Sequence, residues 1–416
     1  MMKIGIIGGG ASGMIAAVCA ARRGASVTIL EGGDRIGRKI LVTGNGKCNF
    51  TNQNMDNSCF RSNTIKDVSG YLAQFGLEDT LDFFDSLQML YKSKNGYYYP
   101  ASEQAGTVLD AFRYEIEALK EHIIVLTDKK VRGLTYQQDG SVKVQCGTEH
   151  FVFDKVILAC GSKASPKTGS DGSGYQLLRS LRCGCRIEEV VPALVQLRCK
   201  EHYLKGVAGV RAEGRITLYL DGAESAAETG EIQLTDYGVS GIPVFQISRY
   251  ASYGCLHNQK AEVHLDFMPY MDTDDFVEYM CNRRVKLADR TVERFCTGLL
   301  NKKLCMLFIK LAGLSPEQTV QSVPEKQFIQ FVHLFKNWCL TVDRPNGFDM
   351  AQVCAGGLSM EEVDRYFAMK KCPSVYVVGE LLDVDGMCGG YNLQWAWTSG
   401  YIAGQHAARE EGTETV

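Results

Sequence analysis

The chain has 416 residues, more than one hydrophobic core usually serves, so two or three packed domains are expected. Its composition is that of a soluble globular protein, 45% hydrophobic and 22% charged, and its net charge of −3 provides neither a footprint for nucleic acid nor a basic arm for an anionic membrane. No apolar run approaches the roughly 18 residues of a spanning helix, and the 16 scattered cysteines, with no CxxC pair and no metal-ligand spacing, read as reduced thiols of a cytoplasmic protein.

The apolar start after Met1-Met2-Lys3 has the look of a signal peptide, but Gly8, Gly9, Gly10 and Gly13 interrupt it in a pattern with its own purpose. Lys3–Ile7 reads as a buried strand of a parallel sheet. It runs into Gly8-Gly9-Gly10-Ala11-Ser12-Gly13, a G-x-G-x-x-G turn that opens a helix rich in alanine. A second strand, Ser26–Leu30, ends at Glu31. Gly8 permits the tight turn, Gly10 lets the backbone approach a pyrophosphate, and Gly13 lets helix and strand pack closely. The free N–H groups at Ala11 and Ser12 and the helix dipole favour phosphate there. Glu31 is placed to accept hydrogen bonds from an adenosine ribose. Together these parts specify a dinucleotide site.

The next segment, 37–52, is a glycine-dense polar loop. Gly44, Asn45 and Gly46 suit a backbone that passes close to a ligand, and Arg38, Lys39 and Lys47 suit an anionic group. Cys48, in the same loop, reads as a buried thiol. A helix is expected over 104–122, strands over 123–131 and 151–158, and a hairpin between them. Short alternating segments between 192 and 270 suggest an antiparallel sheet or barrel. From 271 to 340 the pattern turns helical, and the stripe Phe328, Phe331, Val332, Phe335, Trp338 and Cys339 reads as core. A buried strand ending near Val378 leads to Gly379-Glu380 and then to Gly389-Gly390-Tyr391-Asn392. The helix predicted from Leu393 to Arg409 presents a second N-terminus, suited to negative charge at a flavin ring. Glu380, Asp383 and Asp385 are candidate acceptors for ribityl hydroxyls. The tail 410–416 reads as disordered.

The opening, the loop 37–52 and the segment 379–400 resemble a bacterial flavoprotein family that includes BaiN-type bile-acid reductases. Further matches are Val156-Ile157-Leu158-Ala159-Cys160-Gly161, Ser170-Asp171-Gly172-Ser173-Gly174-Tyr175 and Leu234-Thr235-Asp236-Tyr237-Gly238-Val239-Ser240-Gly241. The resemblance implies FAD as cofactor, with Ala159 and Gly161 beside it and the backbone of Val131 at the adenine edge. Cys160 departs from the usual hydroxyl residue and Ile242 from a usual Gly-Pro; neither change removes a charge, so binding is expected to survive both. Aminoacetone oxidase is structurally akin, so the resemblance alone does not fix the reaction.

The resulting expectation is an α/β protein: a discontinuous Rossmann-like FAD-binding domain (1–191 and 341–416), an inserted antiparallel β domain (192–270) and a small helical domain (271–340). Gly8, Gly10, Ala11, Ser12, Gly13, Glu31, Arg38, Lys39, Gly44, Asn45, Gly46, Val131, Ala159, Gly161, Gly379, Glu380, Asp385, Gly390, Asn392 and Leu393 are expected to hold the cofactor. No second strand–GxGxxG–helix–acid unit is present in the sequence, so NAD(P)H is expected as a transient electron donor. The leading expectation is reduction of an activated C=C bond in a small enone, steroid or bile-acid-like, with Tyr237 and Tyr391 as candidate proton donors. The alternatives are an amine oxidase passing electrons to oxygen and a non-catalytic flavin-binding protein. Nothing in the sequence fixes an oligomeric state.

Overall fold

A computed structural model describes residues 1–409; the expectation for 410–416 lies outside the described residues. The chain forms two compact units, Met1–Val190 with Gln352–Val416, and Val191–Ala351.

The first unit is built on a six-stranded sheet. Its strands are β1 (Lys3–Ile7), β2 (Ser26–Leu30), β3 (Ile123–Leu126), β4 (Lys155–Leu158), β5 (Ala368–Met369) and β6 (Cys372–Val377), in the order β5-β6-β4-β1-β2-β3. All neighbours are parallel except β5, which runs antiparallel to β6. The central strands are covered on both faces, which is why they read as unbroken apolar runs. Two helices matter for the site: α1 (Ala11–Arg22) follows β1, and α2 (Tyr391–Ala407) ends the described chain. They cross at backbone contact, because small residues of α1 meet Gly400 and Gly404 of α2. A three-stranded antiparallel sheet, Gly133–Tyr136, Val142–Cys146 and Glu149–Phe153, completes the expected hairpin region. Gly5 is required here: a Cβ on it would stand 2.4 Å from the Phe153 ring.

The second unit is a closed six-stranded barrel, Leu197–Cys199, Gly238–Ser240, Ala223–Leu234, Arg211–Leu220, Ala261–Asp266 and Trp338–Pro345, with helices sharing its core. Helix Ile242–Leu256 packs against it through Val244, Ile247 and Ala251, all fully buried. Asp272 and Asn301 cap the helices Thr273–Lys286 and Lys302–Leu311 by accepting backbone N–H bonds. The aromatic stripe is core at Phe328, Phe331, Phe335 and Trp338, whereas Cys339 is exposed. Cys339 departs because the helix ends at Lys336 and residue 338 begins a strand, whose side chains alternate. That strand also corrects the sequence boundary at 340: it closes the barrel, and the unit runs on to Ala351. The β-rich and helical segments, drawn apart at 270, share one hydrophobic core. Among the described residues, no helix is long and apolar enough to cross a membrane, and no cluster suited to a metal ion is found.

Candidate functional site

The site is a cavity of about 540 Å³ in the first unit, formed where β1, β2 and β4 end. Open parallel sheets bind ligands at such carboxyl ends. Gly8 leaves β1 with φ +103°, and a Cβ on it would lie 2.5 Å from the carbonyl oxygen of Ala159. A Cβ on Gly13 would lie 2.0 Å from the Gly8 carbonyl, so both positions are restricted to glycine. At Gly10 the nearest heavy atom to an added Cβ is 4.0 Å away, which leaves that side of the turn open to the cavity. Helix α1 begins there with no side-chain cap and no acid in its first turn, so its N–H groups and positive dipole face the cavity unneutralised.

Glu31 sits at the end of β2. Its Oε2 accepts the Gly9 N–H at 2.8 Å and its Oε1 accepts the Gly33 N–H at 2.7 Å. These bonds fix the carboxylate while leaving lone pairs for hydroxyl donors. Arg38 donates to the Lys167 carbonyl at 2.7 Å, and Lys39 pairs with Glu380 at 2.7 Å. Glu380 also accepts the Cys354 N–H at 2.9 Å, so its carboxylate is a strut between the Gly379 turn and the loop of Lys39. Gly379, at φ +66°, brings that turn within reach of Ser12; an added Cβ would be 2.8 Å from its hydroxyl.

Helix α2 repeats the logic of α1. It starts after Gly390 at φ +96°, again without side-chain cap or first-turn acid. Asn392 is the clamp: its Oδ1 accepts the Gly386 N–H at 2.8 Å and its Nδ2 donates to the Gly386 carbonyl at 2.8 Å. The turn before it is held by buried Asp383, which accepts hydrogen bonds from Ser62, Thr64 and the backbone N–H of Asn63.

Of the expected cofactor residues, Gly8, Gly10, Ala11, Ser12, Glu31, Arg38, Lys39, Val131, Ala159, Gly161, Glu380, Asn392 and Leu393 wall the cavity. Gly13, Gly379 and Gly390 stand behind the wall as packing and turn positions. Gly44, Asn45 and Gly46 are outside it: all three have positive φ, and the kinked segment presents Ile40 and Thr43 instead. Asp385 is also outside, buried in a two-residue strand paired with Phe60–Arg61. Lys47 pairs with exposed Glu103 away from the cavity. Lys130, Thr168 and Trp395 also line the cavity without having been singled out in the sequence, and so does Ser170, which opens the matching segment Ser170–Tyr175. Lys130 had a signal in its adjacency to Val131, whereas Thr168 and Trp395 come from a short helical turn and a helix face without a motif.

The cysteines here are inert. Burial pushes the thiols of Cys48 and Cys160 up to about 12, and Cys160 donates to the Ile7 carbonyl. Tyr391 is buried beside Phe60, and burial first, then its bond with the Cys59 thiol, raises its phenol. Its ring lies outside the cavity wall. Tyr237 lies in the barrel unit, where its hydroxyl accepts a bond from Asn346 at 3.2 Å.

A bound FAD fits these residues. Two uncapped helix starts, a ribose-directed carboxylate and an open glycine face are the donor and acceptor set that a dinucleotide diphosphate requires. The model of the HI0933-like protein Rossmann domain family matches residues 2–406. The chain belongs to this family. It is 43% identical over 98% of its length, and 99% of the relative's, to the 3-dehydro-bile acid delta(4,6)-reductase of Clostridium scindens. It is 26% identical to the ribosomal RNA dihydrouridine synthase of Haemophilus influenzae, over 97% of this chain and 98% of that protein. Among solved structures, a 3-ketosteroid delta1-dehydrogenase from Sterolibacterium denitrificans shares the fold, with a TM-score of 0.51 and 12% identity over 98% of this chain and all of that one. The protein is an FAD-dependent enzyme.

Proposed function

We propose that the protein reduces a carbon–carbon double bond conjugated to a carbonyl, in a steroid-like small molecule of the bile-acid class, with NAD(P)H as transient electron donor. The observation that carries this reading is end-to-end similarity at 43% identity to a bile-acid delta(4,6)-reductase. The more distant relative supports the reaction class from another side, since forming dihydrouridine also saturates a double bond conjugated to a carbonyl. When bound, the flavin supplies hydride from N5 to the β-carbon of such an enone. The chain's own part is to hold the cofactor between two helix starts and to deliver a proton. Tyr237 is the better donor of the two tyrosines: its oxygen already accepts from Asn346, which leaves the phenolic proton free, whereas Tyr391 is buried against Cys59. All 16 cysteines are free thiols, which supports a cytoplasmic location.

Anaerobic mixing of the FAD-loaded protein with NADH or NADPH tests the donor. Bleaching of the flavin absorbance by at least one of them is expected. A flavin that resists both nucleotides but is bleached by a primary amine would overturn the reductase reading in favour of an oxidase.

A further inference from the structure

The first unit holds a cluster of three thiols that the cofactor site does not use. Cys183 and Cys185 sit in the loop after the helix Ser173–Ser180, and Gly184 between them, at φ +66°, turns the chain. Cys372 opens β6, directly after the turn from β5. The two segments are far apart in sequence, yet the Cys183 sulfur is in hydrogen-bond contact with both Cys185 and Cys372.

Charged groups build this contact from both sides. Lys371, the neighbour of Cys372, donates to the Gly184 carbonyl at 2.9 Å. The same ammonium pairs with Glu362 at 3.3 Å, and Glu362 accepts the Arg186 N–H at 3.1 Å. One lysine and one carboxylate therefore tie the β5–β6 turn to the Cys183–Cys185 loop.

Access and protonation both fit thiol exchange. Cys183 and Cys185 are half-buried among exposed Arg182, Gly184 and Arg186, whereas Cys372 is 3% exposed. A small reagent thus meets the loop thiols before it meets Cys372. Burial first, and Cys183 next, raises the thiols of Cys185 and Cys372 to about 11, so both keep their protons at neutral pH and direct them at the Cys183 sulfur. Cys296 and Cys305 in the second unit also touch, but they are 4% and 3% exposed, which closes them to a reagent.

We propose that Cys183 and Cys372 form a reversible disulfide when the protein meets a low-molecular-weight disulfide, and that Cys185 is the thiol that reopens it. The Cys183 sulfur attacks one sulfur of the reagent, whose S–S bond breaks, and one small thiol leaves carrying the Cys183 proton. The Cys372 sulfur then attacks the Cys183 sulfur of the mixed disulfide, and the second small thiol leaves with the Cys372 proton. The protein loses two electrons and two protons, and the reagent gains them as two thiols. In reopening, Cys185 attacks Cys183 and passes its proton to the departing Cys372. The bond it makes spans a single glycine; so tight a ring is strained and readily reduced.

Incubation of the FAD-loaded protein with glutathione disulfide, followed by acid quenching and mass-spectrometric mapping, tests this. Two of the 16 thiols are expected to be lost without added mass, as a Cys183–Cys372 peptide pair. Exposed Cys339 gains a glutathione adduct, and Cys296 and Cys305 stay reduced. Cys183→Ser should prevent the bond. Cys185→Ser should allow it but slow its opening by glutathione several-fold. A cluster that stays reduced, a disulfide between any other pair, a Cys183→Ser protein that still loses two thiols without added mass, or a Cys185→Ser protein that reopens as fast as the parent would each overturn the proposal.

Discussion

A Gly400→Val variant is expected to lose most of its bound FAD and to melt several degrees below the parent protein. A Cβ at Gly400 would stand 2.4 Å from the carbonyl oxygen of Ser12 and 2.6 Å from the Ile15 side chain. One turn on, a Cβ at Gly404 would stand 2.5 Å from the Ala16 carbonyl. The obstacle in each case is helix backbone, which has no rotamer with which to yield. Overpacking of this kind costs roughly 1–3 kcal/mol or more, and each kcal/mol lowers Tm by about 2–4 °C in larger domains. The effect reaches the cofactor because the crossing sets the spacing of α1 and α2, whose first turns wall the cavity. Flavin absorbance relative to protein absorbance, with a thermal melt, measures both. Gly106→Ala is the control, since no atom lies within 4 Å of its added Cβ. Equal occupancy and Tm in Gly400→Val and the parent would show that the crossing does not set the site.

Glu31→Ala is expected to weaken FAD binding by roughly a hundredfold while leaving the fold intact. The carboxylate now receives N–H bonds from Gly9 and Gly33, at 2.8 and 2.7 Å. Its loss leaves both donors facing the cavity rim and removes the charged acceptor for the ribose hydroxyls. Hydrogen bonds to charged groups contribute about 1.5–3 kcal/mol each, and 1.4 kcal/mol is tenfold in affinity. Fluorescence titration of the apoprotein with FAD gives the constant directly. An unchanged Kd would show that Glu31 only braces the loop.

The parts of the site legible from sequence were those where backbone geometry restricts residue choice. The turn at Gly8–Gly13 leaves room for glycine alone at two positions, and β2 places Glu31 by strand length, so the pattern survives as a motif. Gly379 and Gly390 were legible for the same reason. Asp385 and Tyr391 share that glycine-rich segment but face inward, and burial leaves no mark in so short a stretch. Gly44 to Gly46 mark a kink accurately, yet a kink does not say which neighbour will face the ligand. The barrel strands showed their alternation, whereas closure depended on Trp338–Pro345, whose sequence continues the aromatic pattern of the preceding helix. Tyr237 and Asn346 are joined by a side-chain hydrogen bond between segments far apart in the chain, and no local pattern unites them.

The measurement closest to the central claim is a single anaerobic turnover. The FAD-loaded protein is photoreduced without nucleotide and mixed with a 4-en-3-one steroid acid. The account predicts that the flavin reoxidises in the absence of oxygen, with one equivalent of steroid gaining two hydrogens across the double bond. A flavin that stays reduced until air is admitted, with the steroid recovered unchanged, would contradict it.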